Sequence, residues 1–114
     1  MTFEELTNWI KENNLKCCYA KNCHECYYNN NLLLTYRKNY YGKIDLTIFT
    51  LKYVNEKHTV SSYTAMSKPL DEFEKVDLLY YFEEFKSKQE FLQVYTKQKF
   101  IERRKNELSR DFNK

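Results

Sequence analysis

The spacing of apolar positions changes along the chain, and each change marks a candidate element. Phe3, Leu6 and Ile10 recur at helical intervals behind Thr2 and Glu5. That T-x-x-E spacing is a capping box, in which hydroxyl and carboxylate reciprocally satisfy N–H groups at a helix start. The first helix is expected to end near Asn13 or Asn14, because asparagine tolerates the left-handed conformation of a helix stop. From Leu15 to Tyr28 no period is clear; a brief strand is expected from Leu15, and Asn29-Asn30-Asn31 reads as a turn.

Beyond that turn the period becomes two. Leu32–Tyr36 is a strand by residue type, and Tyr40-Tyr41-Gly42-Lys43 turns the chain into the next. Ile44–Ile48 alternate apolar with polar, then Phe49–Tyr53 alternate in the opposite phase, so a bulge near Ile48-Phe49 or burial on both faces is expected. Asn55-Glu56-Lys57 connects to a strand running from His58 to about Met66. Three consecutive antiparallel strands form a meander most simply.

Pro69 precedes Asp71 and Glu74, which repeat the capping spacing and place a second helix start between them. Phe73, Val76, Leu79, Tyr80, Phe82 and Phe85 give that helix a wide apolar surface. Ser87 and Glu90 form another box, expected to restart a helix whose stripe is Phe91, Val94, Tyr95, Ile101, Leu108 and Phe112. The expected architecture is one α+β domain over residues 1–114: an N-terminal helix, a three-stranded antiparallel meander and two C-terminal helices packed on the sheet.

Composition narrows the class. With 114 residues, 42% hydrophobic and 31% charged, the chain can bury a core without staples, and it has no apolar run near the roughly 20 residues of a membrane span. A soluble chain with no membrane association is expected. Met1–Glu5 lack the basic region and apolar stretch of a secretory leader, so the expected setting is the reducing cytoplasm, the host's if a phage encodes the protein. Abundant Tyr, Phe, Asn and Lys beside a single Gly and a single Pro hint at an AT-rich bacterial or phage genome. One glycine cannot build the loops of Walker A sites, dinucleotide fingerprints or nucleophile elbows, and those enzyme classes are excluded.

Cys17, Cys18, Cys23 and Cys26 are the sharpest local signal. Cys23-x-x-Cys26 has the spacing of a zinc half-site, which nominates Cys18, Cys23, Cys26 and His24 as ligands, with distant His58 as another source of a fourth. The usual second pair is missing, and in an extended segment Cys17 and Cys18 point to opposite faces. The competing reading is that these thiols are small buried hydrophobes and ordinary surface groups. Neither a catalytic thiol nor a general acid/base pair is indicated, so no catalytic residue and no required cofactor is expected.

Three surfaces suggest binding instead. Tyr27-Tyr28 and Tyr40-Tyr41 fall in expected loops or strand ends, where at least one of each pair should face solvent, and exposed tyrosine is enriched at interfaces. Asp71, Glu72, Glu74 and Asp77 concentrate negative charge that suits a helix start, and they could also imitate nucleic-acid phosphates. Lys99, Arg103 and Arg110 share a helix face, with Arg104 adjacent, in a tail that is basic although net charge is only +3.

The expectation is a small non-enzymatic, anti-CRISPR-like binding protein of phage or mobile-element type. It would dock on and inhibit or modulate a larger host protein, such as a nucleic-acid-processing complex, through the tyrosines and the acidic segment. The alternatives are a nucleic-acid-binding module using the basic tail and a zinc-stabilised structural module.

Overall fold

A computed structural model describes residues 1–57 and 59–112, with side chains described as far as Leu108. Helix α1, Phe3–Glu12, starts at the expected box: the Glu5 N–H donates to Thr2 Oγ1 (3.1 Å) and the Thr2 N–H donates to Glu5 Oε1 (3.2 Å). It ends where Asn14 enters the left-handed region at φ 53°. Its stripe buries Leu6 and Ile10, while Trp9 sets its ring edge-on to Phe82 at 5.3 Å.

The described strands form one antiparallel sheet in the order β1-β2-β3-β4-β5, comprising Lys16–Ala20, Cys23–Tyr28, Asn31–Lys38, Ile44–Val54 and Thr59–Pro69. The expected meander of three strands is thus extended to five. The two additional strands are the cysteine-rich segment, folded as a hairpin. Its turn, Lys21-Asn22, and the next, Asn29-Asn30, have positive φ at both central residues (51° and 63°; 46° and 69°). That geometry matches strand twist and ordinarily calls for Asn-Gly or Asp-Gly. Without glycine, the first turn carries no obvious sequence mark. The expected last strand begins at His58, which lies outside the described residues.

Residues directly opposite across a sheet share a face. One such row is Cys17, Cys26, Leu34, Ile48 and Met66; the next on the same face is Tyr19, His24, Tyr36, Leu46 and Lys68. Cys26, Leu34, Leu46 and Ile48 in these rows are buried, and the helices contact this side: Phe3 meets Tyr36 at 5.9 Å, and Tyr28 meets Phe82 at 5.0 Å. The intervening row, Cys18, Glu25, Thr35, Thr47 and Ser67, is polar and at least partly exposed.

The expected bulge exists. Between Ile48 and Phe49 the register with β5 shifts, leaving Ala65 without an opposite partner. Pairing of β3 with β4 stops at the same place, Leu34 opposite Ile48, while β4 and β5 continue together to Val54 and Thr59. Where the ladder to β3 ends, Ser62 Oγ donates to the Leu32 carbonyl at 2.8 Å.

A short 3₁₀ turn, Leu70–Glu72, leads into α2, Lys75–Phe112. The two expected C-terminal helices are one continuous helix of 38 residues. A capping box at Ser87 and Glu90 has no free helix end to satisfy, and next to it Gln89 secures the middle of the helix to the sheet. Gln89 is 4% exposed; its Nε2 donates to the Tyr28 carbonyl (3.0 Å) and its Oε1 accepts from Asn29 Nδ2 (3.2 Å). At the true start, the Glu74 N–H donates to Asp77 Oδ2 (2.9 Å), so the cap lies three residues beyond the expected one. Leu78, Phe82, Phe85 and Leu92 are buried, whereas Val76, Leu79, Tyr80, Phe91 and Val94 are exposed. The apolar surface expected to lie on the sheet is therefore divided between opposite sides of α2.

Candidate functional site

The β3–β4 loop, residues 39–43, is built around Asn39. Its Oδ1 accepts the N–H groups of Tyr41 (2.9 Å) and Lys43 (3.1 Å), and its Nδ2 donates to Asp45 Oδ1 at 3.2 Å. Two backbone bonds close the same loop: the Asn39 N–H donates to the Lys43 carbonyl (2.6 Å), and the Gly42 N–H donates to the Asn39 carbonyl (3.0 Å). Gly42 has φ +79°, a left-handed conformation that strains other side chains. The chain's single glycine thus stands where the turn requires one.

This clamp holds Tyr40 and Tyr41 outward at 101% and 89% exposure, their rings edge-to-face at 6.5 Å. The pair borders a depression of about 490 Å³ shared with Asn22, Arg37, Lys38 and Asp45. Asp45 lies opposite Pro69, so the loop and the acidic 3₁₀ turn occupy one end of the sheet. A smaller hollow lined by Lys43, Ile44, Leu70 and Asp71 joins them. Asp71 and Glu72 are exposed there, as is Glu74 at the helix entrance. Asp77 is partly buried, and its carboxylate is committed to capping α2.

The other tyrosine pair does not join this site. Tyr28 sits edge-on to Phe82 and Phe85, at 5.0 and 6.3 Å, and belongs to the core periphery. Tyr27 is half-buried and donates its hydroxyl to Glu25 Oε2 at 2.8 Å; that bond raises its pKa to about 12. Tyr27 and Tyr28 form the end of β2, and both are only partly exposed because Tyr28 packs against α2 and Tyr27 against Glu25.

The nominated zinc ligands are dispersed. Cys23-x-x-Cys26 lies along β2, where residues three apart point to opposite faces. Cys18 shares the polar face with Cys23, whose Sγ donates to the Ala20 carbonyl at 3.3 Å. Cys26 is buried on the other face with its Sγ 2.6 Å from Cys17 Sγ. His24 stacks on Tyr36 at 4.6 Å. Among the described residues no three or more His, Cys, Asp or Glu side chains are grouped to hold a metal ion. Burial, reinforced by the Cys17 contact, pushes the Cys26 thiol pKa well up, so it behaves as a small protonated hydrophobe.

Along the basic tail, Lys99 pairs with Glu102 (3.6 Å) and lies over the Tyr95 ring, while Arg104 lies over Phe100. Arg103 is exposed, and the side chain of Arg110 lies outside the described residues. Sequence reasoning found Tyr40 and Tyr41 but missed Asn39, Arg37 and Lys38. The available signal was Asn39 three residues before Gly42, since Asn side chains commonly cap the N–H groups of a following turn. No helix among the described residues is long and apolar enough to cross a membrane. No protein family, curated protein or solved structure matches the chain.

Proposed function

We propose that this is a small non-catalytic binding protein, of the type carried by phages and mobile elements, that docks on a larger host protein and inhibits or modulates it. The observation that carries this reading is the Tyr40-Tyr41 pair, fully exposed yet held on a clamped loop. Binding costs conformational freedom, and a loop already fixed in shape has less to lose. Tyrosine adds a large contact area with two side-chain torsions, and aromatic anchors of this kind dominate interface energetics. Arg37, Lys38 and Asp45 line the depression beside the pair, and Lys43 and Asp71 line the adjoining hollow. Such a rim of mixed charge supplies orientation and selectivity more than affinity.

The test is affinity capture from host lysate with the wild-type chain, Tyr40→Ala/Tyr41→Ala, Asp71→Lys/Glu72→Lys and the control Tyr63→Ala. The expected result is a stoichiometric protein complex that persists at elevated salt, disappears with the double tyrosine variant, weakens with charge reversal and tolerates the control. A complex indifferent to both site variants would overturn the assignment. So would binding carried by nucleic acid and lost steeply with salt.

A further inference from the structure

The outer side of α2 carries a second apolar stripe. Val76 and Val94 are eighteen residues apart, five helical turns, and therefore lie on one line of the surface. Leu79 and Tyr80 flank Val76 on that line; Phe91, Ile101 and Leu108 flank or continue Val94, and all of these are between 53% and 67% exposed. Leu78, Phe82 and Phe85 occupy the opposite side, against the sheet. The stripe is not the rim of the core but a separate face.

The two halves of this face differ. Toward the start of α2, Val76, Leu79 and Tyr80 form an open apolar surface bordered by Glu83, Glu84, Ser87 and Lys88. Toward the end, Phe91, Val94, Ile101 and Leu108 continue the stripe at spacings of three and seven, with polar Gln98 and Lys105 between them. Beyond Lys99 every described side chain is exposed, so this part extends past the sheet. Charge is divided the same way: residues 71–85 carry six acidic and one basic side chains, and residues 86–114 carry nine basic and four acidic.

We propose that the occupant of this face is a second copy of the chain, its α2 running antiparallel, so that the basic tail of each copy lies along the acidic first turns of the other's α2. Setting Phe91 of each copy against Val94 of the other aligns nearly the whole of both helices. Glu83 then meets Arg104 and Glu90 meets Lys97, each contact occurring twice by symmetry. At this register Leu108 of one copy lies opposite Asp77 and beside Val76 of the other, and Ile101 lies opposite Glu84, one turn from Tyr80. A parallel pair would instead set Glu83 and Glu84 against themselves, and Lys105 against itself, on a surface where like charges cost energy. Antiparallel pairing also opposes the helix dipoles favourably. The sheets lie on the outer sides and do not obstruct contact. More than half of seven side chains per copy is covered, on the order of 1,000 Å² of apolar surface in total, the size class of a specific interface.

Sedimentation equilibrium at micromolar concentration should give twice the 14.1 kDa chain mass. Val94→Glu/Ile101→Glu should give a monomer with unchanged circular dichroism. Glu83→Lys/Glu90→Lys should raise the dissociation constant about tenfold or more, as should Lys97→Glu/Arg104→Glu. Combining the four reversals in one chain should restore the dimer, because every pair is then opposite in charge again. A wild-type monomer would overturn the proposal, and so would a dimer unaffected by the reversals or not rescued by their combination. A wild-type monomer that binds a host helix through this face would assign the occupant elsewhere. None of these readouts involves Tyr40 or Tyr41, so failure here and failure of the docking site are separable.

Discussion

Replacing Asn39 with alanine tests whether the tyrosine loop is held by one side chain. The substitution removes two acceptor bonds, to the N–H groups of Tyr41 and Lys43 at 2.9 and 3.1 Å, and one donor bond to Asp45 at 3.2 Å. Tyr41 and Lys43 are exposed, so water takes over their N–H groups and the full burial penalty does not apply. With roughly half a kcal/mol per bond, Asn39→Ala should cost about 1.5 kcal/mol and lower the melting temperature by roughly 5–10 °C. The specific readout is amide hydrogen exchange. Tyr41 and Lys43 should lose protection in the variant, while Leu46 and Ile48, buried in the sheet, should keep theirs. Asn39→Asp retains the acceptor but sets a second carboxylate against Asp45, so it should keep the loop amides protected and regain its lost stability with added salt. Equal, rapid exchange of Tyr41 and Lys43 in wild type and Asn39→Ala would show that the loop is not clamped, and the preorganisation behind the proposed docking would go with it.

Further outcomes follow from burial and linkage. Gln89→Ala leaves the Tyr28 carbonyl without its 3.0 Å partner and should cost about 1–3 kcal/mol in urea unfolding at unchanged m-value; a loss under about 0.5 kcal/mol would refute the role of this contact as the tie between α2 and the sheet. Leu78→Ala should cost about 2–4 kcal/mol, whereas Leu79→Ala, one residue away and 54% exposed, should cost the protomer less than about 1 kcal/mol; equal losses would contradict the orientation of α2. The Cys26 thiol is raised above its ordinary value of 9.0, so the folded state keeps a proton that the unfolded state releases. Its contribution is complete below pH 9 and declines as pH rises above it, and Cys26→Ala should flatten that alkaline decline; identical slopes would refute the linkage.

What could be read from the sequence was what local chemistry enforces. The capping box of α1, the stop at Asn14 and the phase change at Ile48-Phe49 each need particular side chains at particular spacings, and each appears in the structure. The β1–β2 hairpin was hidden because its register depends on partners across the sheet. Which face Cys26 takes is set by the register that places it opposite Leu34, and the asparagine turns lack the glycine that usually marks such geometry. Helix α2 misleads differently. Apolar residues surround it, so its periodicity does not say which of them faces the sheet, and the capping pattern at Ser87 is overruled by Gln89 reaching the β2–β3 turn. Tyr40-Tyr41 could be found from a turn signal with a glycine in it. Its position beside Asp71 required the long-range pairing of Asp45 with Pro69.

The two proposed surfaces together constrain the stoichiometry of any complex. The tyrosine loop lies near the N-terminal end of α2, since Lys43 and Asp71 line one hollow and α2 starts four residues after Asp71. In an antiparallel pair those ends are opposite, separated by nearly the length of a 38-residue helix, about 57 Å at 1.5 Å per residue. A small domain spans only about 30 Å, so one host domain can engage one loop but not both. For a host domain of that size the expected assembly is therefore two chains with two host domains, measured by native mass spectrometry of the complex. The interface variant Val94→Glu/Ile101→Glu should convert it to one with one without changing the affinity of the single site, because no avidity links two loops that face different partners. A complex of two chains with one small host domain, dependent on both tyrosine loops, would mean that the loops point the same way and that the helices pair parallel or not at all.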